Sequence, residues 1–225
     1  MSKLDPAAIQ ASLDSIYAAE RTLRELTDQV ERAPKACEVA EKAIADARKQ
    51  ADEDERGLRL TCLTRILRGI KDPKALDLLI DVLGDDTDEG RASAGIALED
   101  VGMDRAADLH AAIARALKTL PANHHALREL PFVLLSVSEG DARRALVPFL
   151  ALSDPEAVAS AIEALVENAD PAAIENISPL KKDTRTVDLE DESTGESTQI
   201  TIAEMASDAV EALEEAKRLL AKAAG

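Results

Sequence analysis

Apolar residues recur along this chain at steps of three and four positions, the spacing that places side chains on one face of a helix. Residues 5–31 carry the longest such pattern, which predicts one continuous amphipathic helix interrupted on its apolar face by Glu20 and Thr27. A second predicted helix, residues 34–50, has a face of small residues. Residues 1–51 therefore predict a helical hairpin. The apolar positions of the first helix are Ile9, Leu13, Ile16, Leu23 and Val30.

The predicted hairpin has two possible roles. It either caps the domain that follows it, or it forms a coiled-coil arm that makes a homodimer through residues 5–31. The two polar interruptions and a length of only about four heptads favour the cap.

Four Asp-Pro pairs indicate where helices begin, because Asp accepts hydrogen bonds from a first helical turn and Pro tolerates the first helical position. They are Asp5-Pro6, Asp72-Pro73, Asp154-Pro155 and Asp170-Pro171. Their near-regular interval predicts helix pairs that bury their apolar faces by stacking on their neighbours. With only three aromatic residues in the chain, Leu, Ile, Val and Ala must fill the core, which favours an all-α fold.

The pattern also predicts the approximate bounds of each helix after the hairpin. Asp72, Asp104, Asp141 and Asp170 begin the first helices of successive pairs. The predicted helices are residues 52–70, 72–83, 89–101, 104–120, 124–137, 141–152, 156–168 and 170–180, with a last helix from residue 201.

Residues 72–86 followed by 90–102 resemble one unit of a bacterial HEAT repeat. In that family an Asp in the turn and an Arg six residues later form a ladder between adjacent repeats, and Asp85 and Arg91 have this spacing. The resemblance implies a right-handed α-solenoid over residues 52–225. It is specific for a fold and nearly silent on function.

The repeat ladder is incomplete in the neighbouring units. Arg128 occupies the Arg position of the following unit, where Ala122 replaces the expected Asp, and Leu60 and Val158 occupy the Arg position in the flanking units. The resemblance therefore predicts a break in the ladder on both sides of Asp85 and Arg91.

The last unit contains an insertion, residues 181–200. Its apolar and β-branched segments, residues 186–189 and 199–200, flank Ser193-Thr194-Gly195, a pattern that predicts a β-hairpin. Thr201 and Glu204 then form a predicted capping box for the last helix. The insertion either binds a partner or caps the end of the stack, and the sequence leaves both roles open.

Composition excludes several classes of function. A net charge of -17 without a basic stripe argues against nucleic-acid binding, because phosphate neutralisation requires clustered Lys and Arg. No apolar run is long enough for a membrane span, and residues 1–6 lack the apolar core of a signal peptide. We predict a cytoplasmic protein in which Cys37 and Cys62 are buried, reduced thiols, although a disulfide between them stays possible.

Motifs for catalysis or cofactor binding are missing from the sequence. The iron-binding HEAT protein deoxyhypusine hydroxylase uses His-Glu pairs, and neither His110, His124 nor His125 is followed by Glu. DNA glycosylases with HEAT-like repeats use aromatic side chains and a basic face, which this acidic chain without Trp lacks. We predict no catalytic residue, metal or cofactor. Phycobilisome lyases share the repeat style, so a lyase-like or chaperone-lyase subunit is the alternative.

One surface is a candidate for protein binding. Arg65, Ile96, Val133 and Glu163 align at the position that HEAT units leave exposed on the concave side. Exposed Ile96 and Val133 beside arginines would make a modest apolar groove. Alternatively both pack on neighbouring helices, or the alignment is wrong by one residue, and Pro131 is expected to kink the helix that carries Val133. The candidate residues are Arg65, Arg68, Ile96, Arg128, Val133 and Glu163.

The predicted function is therefore a non-catalytic scaffold or adaptor. It would bind a protein partner on the concave face of the solenoid or through the insertion.

Overall fold

The computed structural model describes residues 5–138, 142–190 and 197–223, and these form an all-α fold with one small antiparallel sheet, as the sequence predicts. Short 3-10 segments join several of the helices, at Val147–Ala151, Pro171–Ala173 and Ser178–Lys182. The helices are α1 (Pro6–Glu31), α2 (Ala36–Ala47), α3 (Glu53–Gly69), α4 (Pro73–Leu83), α5 (Asp88–Thr119), α6 (Ala126–Val137), α7 (Ala142–Leu146), α8 (Pro155–Glu167), α9 (Ile174–Ile177) and α10 (Ile202–Ala223).

α-Helices begin at three of the four Asp-Pro pairs, and at Asp170-Pro171 a 3-10 segment begins, so the predicted helix of residues 170–180 is divided into two 3-10 segments and the short α9. The carboxylates of Asp5, Asp72 and Asp170 accept hydrogen bonds from the backbone N–H two residues later, at 2.6, 2.9 and 2.9 Å. Asp154 makes no such capping bond to α8 because its carboxylate binds Arg128 instead. Asp141, the other predicted helix start, lies outside the described residues.

The two predicted helices, residues 89–101 and 104–120, are both present and meet at a kink inside α5. The only non-helical residue is Arg105, with φ -140° and ψ 48°, so the chain bends there without a loop. The Arg105 guanidinium donates to the backbone carbonyls of Ile70 and Lys71 at 3.3 and 3.4 Å, which ties the bend to the end of α3. The sequence predicted the break at Gly102, but the kink lies three residues later at Arg105, and Gly102 packs closely against Val137.

We group the helices into two rows by their contacts. A first row contains α2, α4, the second half of α5 and α7, and a second row contains α3, the first half of α5, α6, α8 and α10. Ion pairs join neighbours within the first row, from Lys74 of α4 to Glu41 of α2 at 2.7 Å and from Arg115 of α5 to Asp77 of α4 at 2.8 Å. One apolar core runs between the rows from α2 to α10.

The N-terminal region differs from the predicted hairpin of residues 1–51. Helix α2 packs on α3 and α4, and its buried Ala40, Ile44 and Ala47 belong to the main core. Helix α1 contains no buried residue. The chain passes between them through a short turn in which Lys35 has a positive φ of 66°. Residues 36–47 are therefore part of the stack, and α1 lies outside the core.

The insertion contains the predicted β-hairpin. Strand β1 (Thr186–Glu190) pairs antiparallel with β2 (Ser197–Thr201), and Val187 lies opposite Ile200. Val187 is buried, and β1 contacts α8. The predicted turn residues, Ser193-Thr194-Gly195, lie outside the described residues.

The predicted capping box at the start of α10 is also present. The Thr201 N–H donates to the Glu204 carboxylate at 2.8 Å, and the Glu204 N–H donates to the Thr201 hydroxyl at 3.1 Å. These reciprocal bonds fix the entry into α10 directly after β2.

Candidate protein-binding face

The second row brings α3 and the first half of α5 side by side. The hydroxyls of Thr64 and Ser93 lie 2.5 Å apart across this junction, and Thr64 is 1% exposed. Gly57 and Gly90 allow the close approach, because a Cβ on Gly90 would lie 3.0 Å from a Leu60 methyl and one on Gly57 would collide with the Glu89 side chain. The junction is therefore tightly packed below its surface.

A shallow cavity of about 150 Å³ opens above this junction. Three of the residues predicted from the sequence lie there together: Arg65, Arg68 and Ile96. Ile96 is 61% exposed, an unusual degree for a large aliphatic side chain. We call this set the Ile96 patch, and it is lined by Thr61, Thr64, Arg65, Arg68, Ser93, Ile96 and Ala97.

The two arginines of the Ile96 patch differ in their partners. Arg68 forms an ion pair with Asp100 on α5, which holds it across the junction. Arg65 is exposed, and no carboxylate among the described residues lies within 4.0 Å of its guanidinium. The patch therefore offers an exposed aliphatic side chain beside a cation, the combination that binds an apolar side chain next to a carboxylate.

Val133 does not belong to this surface, which corrects its expected exposure. It is 4% exposed and packs in the core between the helix rows. Val133 therefore packs on neighbouring helices, the alternative to its exposure, and its neighbour Phe132 is 36% exposed instead. Helix α6 continues through the buried Pro131.

Arg128 lies at the start of α6 and is not free to bind a partner. Its Nε donates to the Asp154 carboxylate at 3.0 Å, and this carboxylate is 7% exposed. The expected break in the ladder at Ala122 is thus bridged by an aspartate from the next helix pair.

The Asp85–Arg91 ladder also differs from its expected form. Arg91 donates to the backbone carbonyl of Asp85 at 2.9 Å and pairs with Asp88, while the Asp85 carboxylate accepts from Arg48 at 2.7 Å. Burial alone would raise the pKa of Asp85, but hydrogen bonds from Arg48 and Thr87 outweigh it and hold the pKa below its ordinary value. Sequence spacing missed Arg48 because the two residues are 37 positions apart.

Glu163 is exposed on α8, in the same row but outside the Ile96 patch. Partial burial raises its pKa, and the neighbouring charge of Glu156 raises it further. An acidic site on α8 and a basic site on α3 thus lie along one row of helices.

One cavity holds several titratable groups. It measures about 240 Å³ and includes Arg48, Asp81, Asp85 and His124 among its lining residues. Arg48 binds both aspartates, and burial lowers the pKa of His124, which therefore favours its neutral form. Arg48 and the two aspartates are engaged as an ion-paired cluster between helix pairs. Among the described residues, no group of three His, Cys, Asp or Glu side chains has the arrangement of a metal site.

The two cysteines are both free thiols. Cys37 is buried, and burial raises the pKa of its thiol. Cys62 is exposed, which corrects the expectation that both are buried. It lies on α3, in a groove described below.

Comparisons with protein-family models and with curated protein sequences find no match for this chain. Among solved structures, the chain is similar to the crystal structure of an engineered protein from the Northeast Structural Genomics Consortium. The sequences are 18% identical over 87% of this chain and 90% of that chain, with a TM-score of 0.33. This likeness carries no argument about function. Within the described residues, every helix is too short or too polar to cross a bilayer.

Proposed function

We propose that this chain is a non-catalytic, cytoplasmic scaffold that binds a protein partner along the second row of helices. In this proposal the two rows are a right-handed HEAT-like α-solenoid, and the second row is its concave face. The observation that carries the proposal is Ile96, a 61% exposed aliphatic side chain at a junction that is otherwise tightly packed. Free thiols at Cys37 and Cys62 support a reducing compartment.

Long-range ion pairs support a repeat architecture. Arg128 pairs with Asp154, 26 residues later, and Arg143 pairs with Asp170, 27 residues later. Arg115 and Asp77 are 38 residues apart. Each bond joins one helix pair to the next, which is how stacked repeats hold their neighbours.

The chemistry of the Ile96 patch indicates what kind of segment binds there. The core of an interface is more apolar than its rim and is enriched in Arg, and Arg65 supplies a charge without a carboxylate partner among the described residues. We expect the partner to insert an apolar side chain against Ile96 and to place a carboxylate near Arg65. We assign binding to this face rather than to the insertion because the Val187 side of the hairpin is buried near α8.

The test is affinity purification of tagged protein from the native host, followed by crosslinking and mass spectrometry. The test variant is Ile96→Asp, and the matched control is Leu219→Asp, since Leu219 is 58% exposed on α10 outside the patch. Both variants should fold like the wild type by circular dichroism, because surface substitutions usually change stability by less than about 0.5 kcal/mol.

We expect one protein, crosslinked to residues of the Ile96 patch, to be retained by wild type and Leu219→Asp and lost by Ile96→Asp. Equal recovery by Ile96→Asp and wild type would contradict the proposed surface. Recovery of a bound chromophore in place of a protein would favour the lyase-like alternative.

A further inference from the structure

The first half of helix α1 has an apolar face that no other described part of the chain covers. The helix spans 26 residues, or about 39 Å, and every residue from Ile9 to Thr22 is exposed. Ile9, Leu13 and Ile16 lie on one side at steps of four and three, and they are 46%, 37% and 59% exposed. Ala8 is partly covered, and so are Leu23 and Thr27 in the C-terminal half of α1, which contacts α3. Because most helical stability in proteins comes from packing of an amphipathic face, the exposed apolar face of α1 indicates a surface that a partner covers.

The first helix pair of the stack has an apolar surface of its own. On the side away from α4 and α5, helices α2 and α3 form a groove of about 440 Å³. Leu58 in this groove is 56% exposed, and the nearby Val39 of α2 is 63% exposed. In a stack of helix pairs this is the side on which a preceding pair would pack. We call it the end groove, and it is lined by Ala43, Asp46, Leu58, Arg59, Cys62 and Leu63.

The charge of α1 disfavours its pairing with a second α1 helix. Residues 5–31 carry six carboxylates and two arginines, whereas the charged residues that line the end groove are one arginine, Arg59, and one carboxylate, Asp46. Pairing two α1 helices with each other would bring like charges together, which disfavours a simple α1–α1 coiled coil. Placing α1 in the end groove avoids this repulsion and covers both apolar surfaces at once.

We propose that a second copy of this chain covers these surfaces: α1 of each copy lies in the end groove of the other, with Ile9, Leu13 and Ile16 facing Leu58 and Cys62. The arrangement is two-fold and isologous, so each copy contributes one helix and one groove. Two equivalent contacts between α1 and an end groove therefore contribute to one interface, which brings the buried area closer to the roughly 800 Å² per partner of a stable interface. The dimer is independent of the proposed function, because the Ile96 patch lies on the α5 side of α3.

Oligomeric state provides the first part of the test. Light scattering across a concentration series should give a dimer for the wild type. Ile16→Asp on the apolar stripe and Leu58→Asp in the groove should each shift the protein to monomer. Ala11→Asp, which adds the same charge on the opposite face of α1, should stay dimeric. A monomeric wild type at every concentration would overturn the proposal.

Cys62 allows a sharper second part, because this exposed thiol lies in the groove while Cys37 is buried. With diamide as oxidant, Ile16→Cys should form a disulfide between residue 16 of one copy and Cys62 of the other. Mixing isotopically labelled and unlabelled protein, followed by peptide mass spectrometry, distinguishes bonds between copies from bonds within one copy. Ala18→Cys, on the opposite face of α1, is the control and should give little of this product.

Two other disulfide products would contradict the proposal. A bond between residues 16 and 62 of the same copy would mean that α1 closes onto its own groove. A bond between residue 16 of both copies would mean that the α1 helices pair with each other. A dimer that formed normally but lost no affinity with Leu58→Asp would also exclude the end groove.

Discussion

The two terminal helices, α1 and α10, look alike in sequence but differ in what they bury. Both are long and amphipathic, at 26 and 22 residues, and both begin with a side-chain cap. Helix α10 buries Ile202, Ala206 and Leu213 against the last helices of the stack, whereas α1 buries no residue. An amphipathic pattern therefore establishes that a helix has a face to bury. It does not establish which surface covers that face.

The same kind of substitution, an apolar residue to Asp, should have very different effects on stability in the two helices. Leu213→Asp places a charge at a site that is 1% exposed, so we expect the free energy of unfolding to fall by at least about 3 kcal/mol. Ile16→Asp, measured at a concentration where the chain is monomeric, should change it by less than about 0.5 kcal/mol. Urea unfolding followed by circular dichroism measures both.

Leu220→Asp is the control for the helix itself, since Leu220 lies on α10 but is 58% exposed. It should behave like Ile16→Asp. If Ile16→Asp instead destabilised the monomer as much as Leu213→Asp, α1 would be part of the folded core, and the distinction between the helices would be wrong.

Ion pairs should show the same distinction with a smaller effect. Removing the Arg128 side chain by R128A leaves the nearly buried Asp154 carboxylate without its main partner, which should cost about 1–3 kcal/mol. On α1, the Glu20–Arg24 pair is 49% and 77% exposed, so Glu20→Ala should change the free energy of unfolding by less than about 0.5 kcal/mol.

A double variant separates the loss of the Arg128–Asp154 bond from other effects of removing Arg128. Arg128→Ala combined with Asp154→Asn removes the buried Asp154 charge that has lost its partner, and it should recover part of the lost stability. No recovery in the double variant would mean that Arg128 stabilises the protein by packing alone.

The charged forms of Asp85 in the stack and Glu31 on α1 should contribute to the free energy of unfolding with opposite signs. The pKa of Asp85 is lowered from 3.8, so its charged form stabilises the fold above pH 3.8, and this contribution is lost as the pH falls through the folded-state pKa. Glu31 at the end of α1 has a pKa raised from 4.5 by burial and by Asp28, so its charge opposes folding at neutral pH.

Stability measured against pH for two neutral variants checks these signs. Asp85→Asn should be less stable than wild type at pH 7, with the difference shrinking as the pH falls below 3.8. Glu31→Gln should be slightly more stable than wild type at pH 7, with the difference disappearing below pH 4.5. The same sign for both variants at pH 7 would contradict the assigned environments.

Local signals in the sequence were sufficient for much of the fold. An Asp before a Pro, alternation near Thr186, and Thr201 followed by Glu204 each act over a few residues, and the structure contains the helix starts, the hairpin and the capping box that they predict. All three depend on bonds within one turn or one hairpin, which neighbouring residues determine.

Contacts between helix pairs could not be predicted in the same way. The partners Arg48–Asp85 and Arg128–Asp154 are far apart in sequence, and their choice depends on how each pair sits on the next. The exchange of Val133 for Phe132 at the surface has the same origin, because α6 is apolar around much of its circumference and periodicity alone does not select one residue. Only packing against neighbouring helices decides such a position.

Amide hydrogen exchange along α1, measured at several protein concentrations, tests most directly whether the apolar face of α1 is covered only by a second copy of the chain. We predict fast exchange of residues 9–22 at low concentration and slower exchange as the concentration rises, while residues 202–213 of α10 stay equally protected throughout. Slow exchange in residues 9–22 that does not change with concentration would contradict this interpretation, because the α1 face would then be covered within a single chain.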